Sequence, residues 1–221
     1  MVALPTVVGV TGSVGRVVNW VGDAWNQLQM AHEDWSWMRS SNILGAGASF
    51  TTIAGQASYP LGTGPGTVGI APDAFGKWDE GTFRNFTTAV GYRDEQPLDD
   101  ISFDAWRDSY MLGAQRSEQT RPVAVAIGAD ESICLGPPPN DQYTITADFY
   151  VAPSLMAADT DVPVGLPKRF HMLIVYRAMI SYGGYEAASE VTQRGADENA
   201  RMYAQLLSVR APRMSFGSAL A

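Results

Sequence analysis

The sequence predicts an α+β protein: a discontinuous helical bundle with an inserted small antiparallel β domain. Three observations lead there. Helical periodicity dominates both ends of the chain, and strand alternation with Gly/Pro turn chemistry dominates its middle. The order helix, strands, helix, strands, helix, helix lets the end helices meet only if the β segments are inserted between them. The corresponding segments are 12–42 and 166–210 for the bundle, 43–101 and 117–165 for the β domain, 102–116 for a connecting helix and 211–221 for a C-terminal tail.

The first helix is predicted from Ser13, a capping residue, to a stop at Ser40, Ser41 and Asn42. Val14, Val17, Val18, Val21, Trp25, Leu28, Trp35 and Met38 fall on its apolar face at combinations of three- and four-residue steps. It carries four of the six tryptophans, with Trp25, Leu28 and Trp35 expected in the core and Trp20 and Trp37 outside the main stripe. Arg16, Asn19, Asp23, Asn26, Gln27, Glu33 and Asp34 form the polar side.

From Ile43 to Leu61 the text changes period, giving two short strands around a turn at Gly55-Gln56. Gly62 to Gly76 is too rich in Gly and Pro for a regular element and reads as a long mobile or functional loop. Strand signals return from Thr82 to Val90. Asp99, Asp100 and Ser102 then lead into a helix predicted over Phe103 to Gln115, on the spacing of Phe103, Trp106, Tyr110 and Met111. Pro122 to Ile127, Ser132 to Leu135 and Tyr143 to Val151 read as a three-stranded meander joined by turn residues.

Pro167 suits a first helical turn, and the nearly all-apolar KRFHMLIVYRAMISYGGY places this helix at the centre of the bundle. The last helix, about Ala187 to Val209, has a stripe of Val191, Met202, Leu206 and Val209. Its Glu190–Arg194 and Asp197–Arg201 spacings predict surface ion pairs contributing roughly 0.3 kcal/mol each.

The composition narrows the function. A 221-residue chain that is 46% hydrophobic and 17% charged can bury a real core, which argues against disorder. Its net charge of −8 disfavours a surface that grips phosphates. The single Cys134, in the strand-like SICLG, rules out an internal disulfide framework and is expected to be buried. The opening MVALPTVVGVTG lacks a basic leader pattern, so cytoplasmic synthesis is expected. The apolar run Met172 to Ile180 is too short to span a bilayer.

Chemistry has no visible carrier. GVTGSVGR at Gly9 to Arg16 lacks the Lys-Ser/Thr of a phosphate loop. His32 and His171 lie on different helices without metal-ligand spacing. Asp99 with Asp100, and Asp159 with Asp161, sit in predicted turns ahead of helices, where Asp serves capping. No Ser, Thr or Cys stands in a nucleophile elbow, so no catalytic residue, cofactor or metal is expected.

Longer strings carry a resemblance. NWVGDAWNQLQMAHEDWSWM, FTTIAGQASYPL, YRDEQPLDDISFDAWRDSY, LGPPPNDQYTITADFYVAP and LPKRFHMLIVYRAMISYGGYEAA together resemble the tailed-bacteriophage head-to-tail adaptor proteins, also called connector or head-completion proteins. The resemblance runs in order over most of Val14 to Arg210, without the Gly62–Gly76 loop and the last eleven residues. It is also similar to the tubular tail protein of short-tailed phages. It implies a structural virion protein at the head-tail junction, assembled in the host cytoplasm without a membrane. Its copies form a ring, usually a dodecamer, on the portal protein at the capsid vertex. The ring presents a surface to tail or tail-completion proteins while genome DNA passes through the lumen. The acidic charge fits a lumen along which phosphates slide.

On that reading the ring contact is expected from Arg16, Asp23, Asn26 and Glu33 on the first helix and Arg194, Asp197 and Arg201 on the last. The tail is expected to bind the portal through Arg210, Arg213, Met214 and Phe216. Two alternatives from other classes stand beside it. One is a carbohydrate- or ligand-binding module using Trp78, Tyr59 and Phe75 of the β domain. The other is a hydrolase whose groups meet only in space.

Overall fold

The computed structural model describes residues 13–32, 34–41, 43, 45–156 and 161–210. Its helices and small, mostly antiparallel sheets make it an α+β protein, and it divides into two compact units, Met1–Met38 with Pro153–Ala221, and Arg39–Ala152.

In the first unit α1 (Ser13–Met30) and α4 (Ser189–Arg210) each pack on α3 (Met172–Tyr185), which a short 3-10 turn over Lys168–Phe170 precedes. Trp25, Leu28, Leu173 and Leu206 are buried between them. The α3–α4 approach is close enough that a Cβ on Gly195 would stand 3.0 Å from the Tyr176 carbonyl oxygen. Gln29, buried on α1, closes the unit across the insertion: its Nε2 donates to the Ser154 carbonyl at 2.8 Å and its Oε1 accepts from the Ser154 amide at 2.9 Å. Both polar ends of the amide are satisfied, so its burial is tolerated.

The helix predicted as far as Arg39 stops at Met30. Trp35 sits seven residues after Leu28, which imitates two further helical steps, but it lies in the following turn segment. From there its indole donates to the Leu28 carbonyl at 2.9 Å, one of the acceptors that a helix end leaves unpaired. Its ring stacks on Trp37 at 4.1 Å and meets His32 edge-on at 4.6 Å.

The second unit holds three small sheets. β1 (Arg39–Ser40), β11 (Phe149–Val151) and β4 (Phe75–Trp78) form one, in that order. β2 (Ala48–Thr51), β10 (Tyr143–Ala147), β5 (Arg84–Thr87) and β6 (Gln96–Pro97) form another. β3 (Ser58–Tyr59), β9 (Ile133–Gly136), β8 (Ala124–Ile127) and β7 (Asp99–Asp100) form the third, in which β7–β8 is the parallel pair. Their inner faces share a core that includes Tyr59, Phe83, Ile133, Leu135 and Ile145.

Three expectations change here. The meander is only a β8–β9 hairpin, because β10 leaves it to pair with β2 and β5. Tyr143 to Val151 is two strands rather than one, divided at the buried Asp148. At that division Arg39 Nη2 bridges Asp148 Oδ2 at 3.0 Å and Asp79 Oδ2 at 2.6 Å. Desolvation raises the Asp79 carboxyl pKa, against the opposing pull of Arg39. Asp99-Asp100 is a short strand, not a turn.

The Gly/Pro loop is tied down. Val68 and Ile70 are buried, the Gly62 amide donates to the Ile70 carbonyl at 2.7 Å, and Gln56 Nε2 donates to the Gly66 carbonyl at 2.8 Å. Gly76, at the loop's end, lies in β4 where the register with β11 shifts, and a Cβ there would stand 3.0 Å from the carbonyl oxygens of Tyr150 and Val151.

The second predicted helix is shorter than expected. α2 (Phe103–Tyr110) is capped by Ser102, whose Oγ accepts from the Ala105 amide, and packs on β8 and β9 through Trp106. A 3-10 turn over Gly113–Ser117 replaces the rest, with Gly113 at φ +63°.

Candidate subunit-contact surface

On α1, residues 16, 20, 23, 27 and 30 fall on one helical stripe opposite the core. Arg16, Asp23, Gln27 and Met30 are exposed along it, Trp20 is half-buried, and Asn26 lies half-buried beside it. Trp20 leans onto α3, edge-on to Tyr182 at 6.0 Å and tilted against Tyr185 at 5.6 Å. The Arg16 guanidinium lies over the Tyr185 ring at 4.5 Å, a cation–π contact.

α3 was expected to be enclosed, but one side of it is open. Met172, Val175 and Tyr182, at steps of three and seven, are each more than two-fifths exposed, and Tyr185 is 55% exposed. A helix apolar on all sides buries every side somewhere, and here α1 and α4 leave one uncovered.

α4 turns a polar face outward. Ser189, Glu190, Gln193, Arg194, Asp197 and Glu198 line a shallow depression there, with Arg194 and Asp197 both exposed. The expected four-residue ion pairs are not the ones formed. Arg201 Nε donates to Glu198 Oε2 at 3.1 Å, three residues back, and this hydrogen bond raises the pKa of the guanidinium. Side-chain length favours that reach over the step to Asp197. No ion pair joins Glu190 to Arg194 among the described residues.

Arg16, Asp23 and Asn26 thus share one side of α1, while Arg194, Asp197 and Arg201 share the outer side of α4. Glu33, Asp159, the Arg210 side chain, Arg213, Met214 and Phe216 lie outside the described residues. Sequence reasoning missed Tyr182 and Tyr185 as surface residues, whereas it placed Trp20, which is half-buried, outside the main stripe. The signal for the tyrosines was the unbroken apolarity of α3, read there as burial.

The aromatic platform in the β unit is corrected. Tyr59, Phe75 and Trp78 are all core residues. The Tyr59 hydroxyl accepts from the Ile53 amide and donates to its carbonyl, and burial pushes its pKa up to about 12. Trp78 Nε1 is spent on the Glu131 carbonyl at 2.9 Å. None of the three presents a face on which a sugar could stack.

Catalytic geometry is equally sparse. Cys134 is buried, and desolvation raises its thiol pKa, the reverse of what a nucleophile needs. His32 Nε2 meets the Tyr203 hydroxyl at 3.2 Å and His171 Nε2 the Leu166 carbonyl at 2.9 Å, so each serves local packing. Among the described residues no group of three or more His, Cys, Asp or Glu could hold a metal, and no helix is long and apolar enough to cross a membrane.

Two comparisons bear on the whole chain. No curated protein matches it. The sequence profile of the SU10 adaptor protein family matches residues 7–219, taking in both units.

Proposed function

The chain belongs to the SU10 adaptor protein family, a bacteriophage head-to-tail adaptor family, and we propose that its copies form a ring joining the portal at the capsid vertex to the tail. The family match over residues 7–219 carries this reading. The open apolar side of α3, next to the Arg16–Trp20 edge of α1, supports it, since such surfaces belong to protein contacts. The net charge of −8 supports a lumen through which DNA moves without being held.

In this reading the chain is a structural component of the virion with no reaction of its own. The segment from Ala211 to Ala221 docks on the portal, with Met214 and Phe216 as apolar anchors and Arg210 and Arg213 as charge partners. The β unit meets the tail components or a neighbouring copy.

Deletion of the gene in the producing phage tests the role. Heads that fill with DNA but carry no tail are the expected product, and tailed infectious particles without the chain would overturn the proposal. Counting its copies per virion tests the ring, which a single copy would exclude. Truncation after Val209 tests the portal segment, and heads that join normally without it would refute that assignment.

A further inference from the structure

Two surfaces of the helical unit carry unmet interactions of opposite kind. The first is the cluster of Arg16, Val17, Trp20, Tyr182 and Tyr185, in which Val17 is 42% and Tyr182 41% exposed. Val175 and Met172 extend its apolar area along α3. Trp, Tyr and Arg are the residues that dominate contact energies, because they bring large apolar area with a polar handle and few rotatable bonds. Arg16 stacks on Tyr185 and has no carboxylate partner among the described residues.

The second surface is the outer side of α4. Its depression sets the three carboxylates of Glu190, Asp197 and Glu198 against the single guanidinium of Arg194. Glu198 is taken by Arg201, whereas Glu190 and Asp197 have no ion pair among the described residues. A cation in an aromatic patch and two carboxylates in a shallow depression, without ion pairs among the described residues, are complementary, and they lie on different helices.

We propose that the Arg16–Trp20–Tyr182–Tyr185 cluster of one copy seats on the outer face of α4 of the next, with Arg16 directed at Glu190 and Asp197. This rests on the ring reading and names its contact. A head-to-tail contact between two different surfaces repeats around a closed ring, whereas a patch that met only itself would stop at two copies. It also selects orientation: turning the neighbour over would bring Arg16 away from the carboxylates.

Paired cysteines in assembled particles test the contact. Arg16→Cys and Asp197→Cys replace exposed side chains, and Cys134 is buried, so the full chain carrying both can be incorporated into phage heads and oxidised. The expected result is a reducible ladder of dimers, trimers and higher multiples, while each single variant stops at the dimer or below. In parallel, R16E and the double variant E190R/D197R should each lower adaptor occupancy on heads by about tenfold. Combining the three changes should restore it.

Several copies per particle without a ladder, or charge variants that assemble like wild type, would overturn the contact and leave the ring intact. Crosslinking of the Arg16→Cys variant to the portal or a tail protein would overturn it by naming another occupant. One copy per particle would overturn the ring itself.

Discussion

Replacing Trp35 and Trp25 in turn by Phe should separate two buried indoles that look alike by size. Both are almost wholly buried, Trp35 0% and Trp25 1% exposed, so each substitution removes a similar apolar volume and leaves a similar cavity. Their polar atoms differ. Trp35 Nε1 donates to the Leu28 carbonyl at 2.9 Å, whereas Trp25 Nε1 is buried with no acceptor. Trp35→Phe therefore strands a buried carbonyl at the end of α1, a loss of about 1–3 kcal/mol beyond the cavity. Trp25→Phe removes a stranded donor and recovers a similar amount. The two variants should differ by about 2–6 kcal/mol, Trp35→Phe being the less stable. Urea unfolding followed by circular dichroism at a helix wavelength reads the gap without relying on tryptophan emission. Equal destabilisation would contradict this account, since it would mean that the indole N–H groups are equivalently satisfied in the folded chain.

Three other outcomes follow from single positions. Ala187, at the turn between α3 and α4, holds φ at +54° while the Ala188 amide donates to the Gly183 carbonyl, so Ala187→Gly should raise stability by about 1 kcal/mol, and a lower thermal midpoint would speak against it. Gly76→Ala forces a Cβ within 3.0 Å of two β11 carbonyl oxygens and should lower stability by about 1–3 kcal/mol, seen as an earlier urea midpoint; an unchanged midpoint would show that β11 can yield. The Thr87 hydroxyl, 2.6 Å from Asp94 Oδ2, with the Thr87 amide and Arg121, holds the Asp94 carboxyl below the usual range against some desolvation. Its stabilisation is present above the unfolded carboxylate pKa of about 3.9 and is lost as pH falls through the lower folded value. Thr87→Val should raise the Asp94 pKa in a carboxyl NMR titration, and an unmoved titration would count against the hydrogen bond as its main cause.

Much of the fold was legible in the chain because short-range periodicity reports local geometry. Trp25 and Leu28 on one stripe, Ser102 ahead of α2, the apolar β9 around Cys134 and the Pro167 entry to the turn before α3 could all be read from their neighbours. Where reading failed, side-chain packing rather than periodicity had decided. Trp35 kept helical phase with Leu28 but belongs to the turn beyond it. Val68 and Ile70 turned a Gly/Pro stretch into a pinned loop, since two apolar anchors and a few carbonyl acceptors suffice to hold a backbone with little regular structure. The candidate contact surface was half legible. Arg16 and Asp23 declare themselves by polarity, whereas Tyr182 and Tyr185 have the composition of a core and only their exposure distinguishes them.

Residue type and near-neighbour spacing were enough to settle the α+β class, the periods of the helices and strands, the burial of Cys134 and the resemblance that the family profile bears out. These properties depend on the chain within a few turns of each residue. Packing settled where α1 ends, which sheet β10 and β11 each join, and which apolar side of α3 stays open. Arg39 with Asp148 and α1 with α3 are choices among partners far apart in the chain, while the end of α1 turns on how the Trp35 indole fits the Leu28 carbonyl seven residues back. A periodic pattern states that a face must be buried, and only the packed chain states against what.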